Sequence, residues 1–374
     1  MKPEIKPVKT RGELRQFVSF PNKLYKGNKY YVPVMISMEM DTFNPKTNHA
    51  FEFCDSAQWL ATDADGKIGG RVAAIINRVY NEAKDMKQGR IGWLDFIDDE
   101  DVSAALLDTA EKWCRERGMT QICGPMGFLE FDAAGIIVDG FNDLPTAYGK
   151  YNYPYYAEHM AAHGYIKDTD WVEYQIVLGD TLPGNTSKAA RIIAERYNLR
   201  SLKFKRKKDL EPYFDDIFAL LNKAYKDLHG FSELSDGQIE DLKAQFLPNL
   251  NLKLISVITD QTGKIIAFGI TLPSLSKAMQ KAGGHMFPTG WIHLLRALRH
   301  NDTLDCLLIA VDDEYRSKGV TAVIFQDLFD NAKKFGIRYL ESTRELEDNY
   351  NVQNLWKNFD RRLHKRARCF VKDL

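Results

Sequence analysis

No excess of either charge exists in this chain: 51 Lys and Arg balance 51 Asp and Glu. A global electrostatic footprint for nucleic acid or an acidic membrane is therefore excluded, and any such argument has to be local. Cysteine is scarce. Its five positions, Cys54, Cys114, Cys123, Cys306 and Cys369, are scattered and odd in number. That pattern fits neither a disulfide framework nor a paired-cysteine metal motif, and a reducing cytoplasm is the expected location. Cys123 precedes Gly124-Pro125 without a nearby His and reads as a buried structural thiol. Long apolar runs are missing too. The N-terminal MKPEIKPVKTRGEL lacks the apolar segment of a secretory signal. No stretch is long enough to span a bilayer, so no membrane partner is expected.

What the chain does have is length and a repeat. Its 374 residues, 44% of them hydrophobic, point to two domains with ordinary cores. AQWLATDADGKIGGRVAAII reads as a hairpin turning at Asp65-Gly66. Strand-like RIGWLDFID follows, then an amphipathic segment 101–117, Gly118, strand-like TQICGP, a helix near 154–163 and DWVEYQIVL. NLKLISVITDQTGKIIAFGITL reads as a second hairpin, turning at Thr262-Gly263. After it come LDCLLIAV, a helix over 321–335, Gly336, RYLEST, a helix over 351–359 and RARCFVKD. The two halves run the same programme. The boundary between them falls near 180–200.

One junction differs between the copies. Asp98-Asp99-Glu100 matches Asp312-Asp313-Glu314, and Gly118 matches Gly336. The first pair of anchors is 20 residues apart and the second 24. The extra residues fall at YRSK. The helix that follows has Phe325, Leu328, Phe329, Ala332 and Phe335 on one face. Its first-turn N–H groups have no intrahelical partner and sit at the positive end of the dipole. Gly319 admits close backbone approach, and Arg316 and Lys318 add charge, which is how an anion such as a diphosphate is cradled. In the first copy Asp98, Asp99, Glu100 and Asp101 occupy the same mouth and would repel a phosphate.

Arg316-Ser317-Lys318-Gly319-Val320-Thr321 resembles the Q/R-x-x-G-x-G/A signature of the GNAT superfamily of acyl-CoA-dependent N-acetyltransferases, with Thr321 at the usual Gly or Ala position. The surrounding order of elements is similar to that fold. GPMGFLEFDAAGIIVDGF and YNYPYYAEHMAAHGY are similar to phrases of bacterial tandem GNAT-like proteins. The resemblance implies an α/β (α+β) chain of two tandem GNAT-like domains, each a mixed, mostly antiparallel sheet flanked by helices. They would cover 1–185, without a cofactor, and 200–374.

By the same resemblance the second domain would bind acetyl-CoA or another acyl-CoA. The backbone of Ile309, Ala310 and Val311 would hold its arm, and Arg316, Ser317, Lys318, Gly319, Val320 and Thr321 its diphosphate. Asn349 opens the next motif. The family's proton-donating Tyr falls at Trp356, whose indole is a poor acid. The acyl group would pass to an amine of a small molecule or peptide, with no metal. Two alternatives stand beside this: a Fem-like transferase that uses aminoacyl-tRNA, and a binding protein without catalysis.

The reaction needs a base. Glu341 and Glu345, in YLESTREL, are the candidates, and strand alternation would put them on one face. Asp305 is a weaker one. The insert GGHMFPTGWIHLLRALRH carries His285, His293 and His300. It fits a lid or wall over a cleft better than a metal site, because no acid is interleaved. The basic runs 203–209 and 361–370 read as solvated faces, or else as an anion-binding patch with Arg366 and Arg368 on one side. The tyrosines of 24–33 and 148–156 read as packing, or as the lining of a cleft between the halves.

Overall fold

The computed structural model describes residues 3–374. The first half contributes β1 (Glu4–Pro7), β2 (Cys54–Thr62), β3 (Ile68–Asn77), β4 (Gln88–Phe96), β5 (Gln121–Gly124), β6 (Ile136–Asp139) and β7 (Ile166–Val177). The second contributes β8 (Arg200–Ser201), β9 (Ile255–Thr259), β10 (Ile265–Pro273), β11 (Thr303–Val311), β12 (Tyr339–Ser342), β13 (Glu345–Leu346) and β14 (Asp360–Asp373). Both expected hairpins form, and by the same turn chemistry. Asp63 Oδ1 accepts from the N–H groups of Asp65 and Lys67, and Asp260 Oδ1 from those of Thr262 and Lys264. Side-chain carboxylates commonly fix tight turns in this way.

All of these strands join one sheet, whose main path runs β1-β2-β3-β4-β5-β14-β7-β12-β11-β10-β9-β8. The order is symmetric about its centre. Each half contributes an antiparallel hairpin and one parallel pair, β4–β5 and β11–β12. The last long strand of each half then crosses over. β14 pairs with β5 of the first half, and β7 pairs with β12 of the second. β7 and β14 pair with each other from Asp360↔Val177 to Val371↔Ile166. Neither half completes its sheet alone.

Helices cover both faces, so β3 and β4 are buried almost throughout, as strands shielded on two sides must be. The Thr321–Lys334 helix packs through Ile324, which with Val320 joins a core containing Ile258, Ile266 and Ala267. Burial of one such side chain is worth about 2 kcal/mol. No helix among the described residues is long and apolar enough to cross a membrane.

Two expected elements are corrected. The helix over 351–359 is one short turn, Tyr350–Gln353, followed by a 3₁₀ turn at Asn354–Trp356. Trp356 is pulled inward against Phe325 and Phe359, and the Asn-rich segment has little helix propensity to resist this. The final strand begins at Asp360, six residues before the expected RARCFVKD, because it must reach across both β7 and β5.

Candidate functional site

β11 and β12 pair only from Thr303↔Tyr339 to Cys306↔Ser342 and then part. Thr343 Oγ1 donates to the Cys306 carbonyl at 2.9 Å, at the crotch of the fork. Against β10 the register slips between Ile270↔Leu308 and Thr271↔Cys306, so Leu307 is an extra residue on β11. A bulge of this kind bends a strand away from its neighbour. The fork opens into a cavity of about 850 Å³.

One end of the cavity is the mouth of the Thr321–Lys334 helix. Gly319 there has φ +74°, a left-handed turn that suits glycine. The N–H groups of Gly319, Val320 and Thr321 have no hydrogen-bond acceptor among the described residues. Arg316, Ser317 and Thr321 line the cavity. Lys318 does not, because its ammonium lies over the rings of Tyr315 and Tyr197 at 4.3 and 5.2 Å. Val320 is core, and Gly319 abuts Ile193. Two of the acids nearby are matched by bases. Asp312 meets Lys223 and Lys264 at 3.3 Å each, and Asp313 meets Arg316 at 3.1 Å.

Ile309, Ala310 and Val311 form the cavity's β11 wall. The Tyr225 hydroxyl lies 3.3 Å from the Ile309 carbonyl oxygen and 3.4 Å from its nitrogen. Arg316 Nε reaches the Val311 carbonyl at 3.4 Å. These are long contacts near the limit of a real hydrogen bond. Asn349 also lines the cavity, and its Oδ1 caps the short helix at Val352 N. A third wall is apolar, with Phe214, Leu221, Leu242, Phe246 and Ile255 from the second half's main core.

The inner end is polar. Glu345 lines the cavity, and Trp356 Nε1 donates to its Oε1 at 2.6 Å. Burial pushes the Glu345 carboxyl up to about 7, against the pull of the Trp356 bond. Glu130 is likewise raised to about 7 by burial, and Glu173 is raised for the same reason. Each of the three has a buried Oε2 without a partner, and Arg344 has a buried Nη1 without one, among the described residues. Buried polar atoms are nearly always satisfied, so four orphans around one cavity point to a ligand. Arg344 is held by carbonyls of the first half, Glu130 and Asp132. The sequence reading did not single out Glu130, Glu173, Arg344 or Tyr225. A carboxylate in an apolar phrase, as in GFLEF, was the one available signal.

Glu341 and Glu345 do not share a face, contrary to expectation. Glu341 pairs with Gln175 of β7 and Glu345 with Val172. Four steps on one strand match three on the other, and a one-residue slip reverses the side. Glu341 faces a second cavity of about 720 Å³, with His364 Nε2 at 2.9 Å and Gln175 Nε2 donating at 2.7 Å. Asp305, its cross-strand neighbour, is buried, and burial pushes it up to about 8 against the opposing pull of Ser274 and the Ala147 backbone. Thr146 lines both cavities, so the first half supplies the wall between them. The 283–300 insert walls the second cavity with His293, Arg296 and His300.

Other expectations resolve locally. Arg366 and Arg368 do share a side, but both bond the buried Asp170, at 3.2 and 2.8 Å. Of the tyrosines of 24–33 and 148–156, Tyr148 lines the cavity, whereas Tyr25, Tyr31, Tyr151 and Tyr156 are packed in the first half and do not. Asp168, His229 and Cys369 bring ligand-type atoms within 4.8 Å of one another. The Cys369 thiol is raised far up by its bond with Cys123 and by burial.

No family model matches the chain. It is 26% identical to Protein YghO of Escherichia coli, over 97% of this chain and 94% of that one. It is also 26% identical to a bacterial ceramide synthase of Caulobacter vibrioides, over 78% and 76% of the two. Among solved structures it resembles a tandem GNAT protein from the clavulanic acid biosynthesis pathway, with a TM-score of 0.58, 12% identity and coverage of 99% and 98%. A GCN5-related glucosamine N-acetyltransferase region of a fungal β-N-acetylglucosaminidase gives 0.59 at 14% identity, covering 99% of this chain and 38% of that one. The fold is therefore that of the GNAT acetyltransferases, in its tandem form.

Proposed function

We propose that this chain transfers an acyl group from acyl-CoA to an amine, at the β11–β12 fork. The observation that carries the reading is a single cavity joining three features. These are a helix mouth with three unbonded amides, an exposed strand edge and a cluster of orphaned carboxyls. The amides of Gly319, Val320 and Thr321 with Arg316 suit a diphosphate. Ile309 and Val311 offer backbone groups to the pantetheine arm, with Tyr225 giving way. The apolar wall suits a long acyl chain better than an acetyl group. The name of one relative, a ceramide synthase, supports this, since a ceramide is a fatty amide.

Glu345 is the proton carrier in this reading. The amine nitrogen attacks the thioester carbonyl carbon and loses a proton to the Glu345 carboxylate. The C–S bond then breaks, and the departing thiolate takes that proton. The products are an amide and free CoA. A carboxyl near 7 suits both steps, and Trp356 fixes its orientation. This accounts for a Trp where a Tyr acid was expected. Arg344 is the donor for the developing oxyanion.

Calorimetric titration with acetyl-CoA and a series of longer acyl-CoAs tests the reading. Each buried methylene is worth about 0.8 kcal/mol, so four extra carbons tighten binding on the order of 100-fold. Thiol release with a panel of amines then reports transfer. Failure of every acyl-CoA to bind would overturn the proposal. The tRNA alternative loses part of its basis, because in the second basic run Arg366 and Arg368 are already bonded to Asp170.

A further inference from the structure

The insert that walls the second cavity has an outer face that nothing in the molecule covers. Its helices are Ser276–Ala282 and Gly290–Arg299. On the second helix and the loop before it, Phe287 is 77% exposed, Ile292 47%, Leu295 44% and Trp291 42%. Large apolar groups clustered at such exposure are uncommon on an unpartnered surface. The charge around them has one sign. Residues 275–301 include Lys277, Lys281, Arg296 and Arg299 and no Asp or Glu. Among the described residues Lys281, Arg296 and Arg299 form no ion pair, and Lys277 reaches only Asp302, at 3.9 Å.

We propose that this hairpin docks on the surface of an anionic lipid bilayer. Aromatic and aliphatic groups interleaved with uncompensated cations are what the headgroup boundary selects. The Trp291 indole N–H already donates to the Pro288 carbonyl at 2.9 Å, so its ring enters the boundary without an unpaired donor. Charge complementarity decides the occupant. A second copy would bring like charges together, whereas anionic lipid neutralises them. The platform is held firmly. Gln280 Nε2 donates to the carbonyls of Lys29 and Tyr31 at 2.9 Å each, Ser276 Oγ donates to Pro145 O at 2.7 Å, and Ile36 N donates to Gly284 O at 3.1 Å. The outer face is therefore not needed to hold the hairpin in place. The same insert lines the second cavity through His293 and Ala297 and through three of these cations, Lys277, Lys281 and Arg296, so docking places that cavity beside the lipid with its cationic lining. Absence of a spanning helix, which led to the expectation of no membrane partner, does not bear on surface attachment.

Flotation of the full chain with vesicles tests the idea, independently of acyl-CoA binding. The probes are phosphatidylcholine vesicles with and without a quarter of phosphatidylglycerol. The chain is expected to float with the anionic vesicles and to release as salt rises. Trp291→Glu with Leu295→Glu should weaken association at least 10-fold. Arg296→Ala with Arg299→Ala should weaken it by about fivefold per cation, and Ile192→Glu, on another exposed surface, should change nothing. Unaltered melting temperature of each variant shows that the fold persists. No flotation, equal flotation with neutral vesicles, or a wild-type dimer that these changes dissociate while flotation survives would each overturn the proposal.

Discussion

The forks β4/β5 and β11/β12 arise from the same hairpin–strand–helix–strand pattern, yet the chain fills one and leaves the other open. At the first, Lys150 Nζ donates to the Leu94 carbonyl at 2.8 Å, and Tyr155 donates to that of Phe96 at 2.6 Å. Phe96 N donates to the Tyr156 hydroxyl at 2.9 Å. Behind them Asp95 pairs with Arg71 and accepts from Tyr25, all deeply buried. The helix mouth is capped from within, with Asp99 accepting from Val102 N. At the second fork the contacts to Ile309 and Val311 are 3.3–3.4 Å, and the helix mouth keeps three amides unbonded. A fork becomes a site where the chain's own side chains do not reach its edge. The resemblance of the halves is one of backbone, and the difference is one of who satisfies it.

The comparison breaks most visibly at the chemistry. Glu345→Gln is expected to lower acyl-transfer turnover by about 10²–10³-fold while leaving acyl-CoA affinity intact. Stopped thiol-release assays beside calorimetry separate the two. In the wild type the rate should rise with pH through about 7, as Glu345 ionises to its basic form. A flat profile would remove Glu345 from the role.

Next in size is charge at the open mouth. Ser317→Glu, which faces the cavity, should weaken CoA binding by about 10–100-fold through repulsion of the diphosphate. Gly319 is a poorer place for the test, since a side chain there is strained at φ +74° and meets Ile193. A change in the closed fork should do the reverse. Tyr156→Phe strips the Phe96 N–H of its partner and should cost about 1–3 kcal/mol of stability with no change in CoA affinity, as denaturant melts and calorimetry would show. If Tyr156→Phe altered affinity, the first fork would be part of the site after all.

The smallest effects sharpen the contrast. Tyr225→Phe removes the competitor at Ile309 and should tighten CoA binding a few-fold. The unliganded fold also has a pH signature. Asp305 is raised to about 8, and Glu130 and Glu345 to about 7, all chiefly by burial. Raised carboxyls favour the protonated fold, so their contribution is full below the ordinary carboxyl range, is lost progressively as pH rises above about 4, and is gone once pH has passed through 7 to 8. Melting temperature should therefore fall over that window, and Asp305→Asn should flatten the slope.

Much of this was legible along the chain because it is local. Alternation marked both hairpins, helical spacing marked the Thr321–Lys334 helix, and the four-residue extension marked where the copies part. The carboxyl cluster was not legible. Glu130 and Glu173 come from the first half, and their raised values follow from burial that only packing creates. The opposed faces of Glu341 and Glu345 depend on a slip between β12–β13 and β7, which the chain carrying them does not reveal.

The amino-acid order thus decided the elements, the repeat and the glycine-led helix mouth, since each depends on neighbours a few residues apart. Tertiary structure alone decided that β7 and β14 change places, that Thr146 and Glu173 of one half wall the cavity of the other, and that the tyrosines close the first fork. Those outcomes follow from contacts between residues far apart in the chain, whose energies no local pattern encodes.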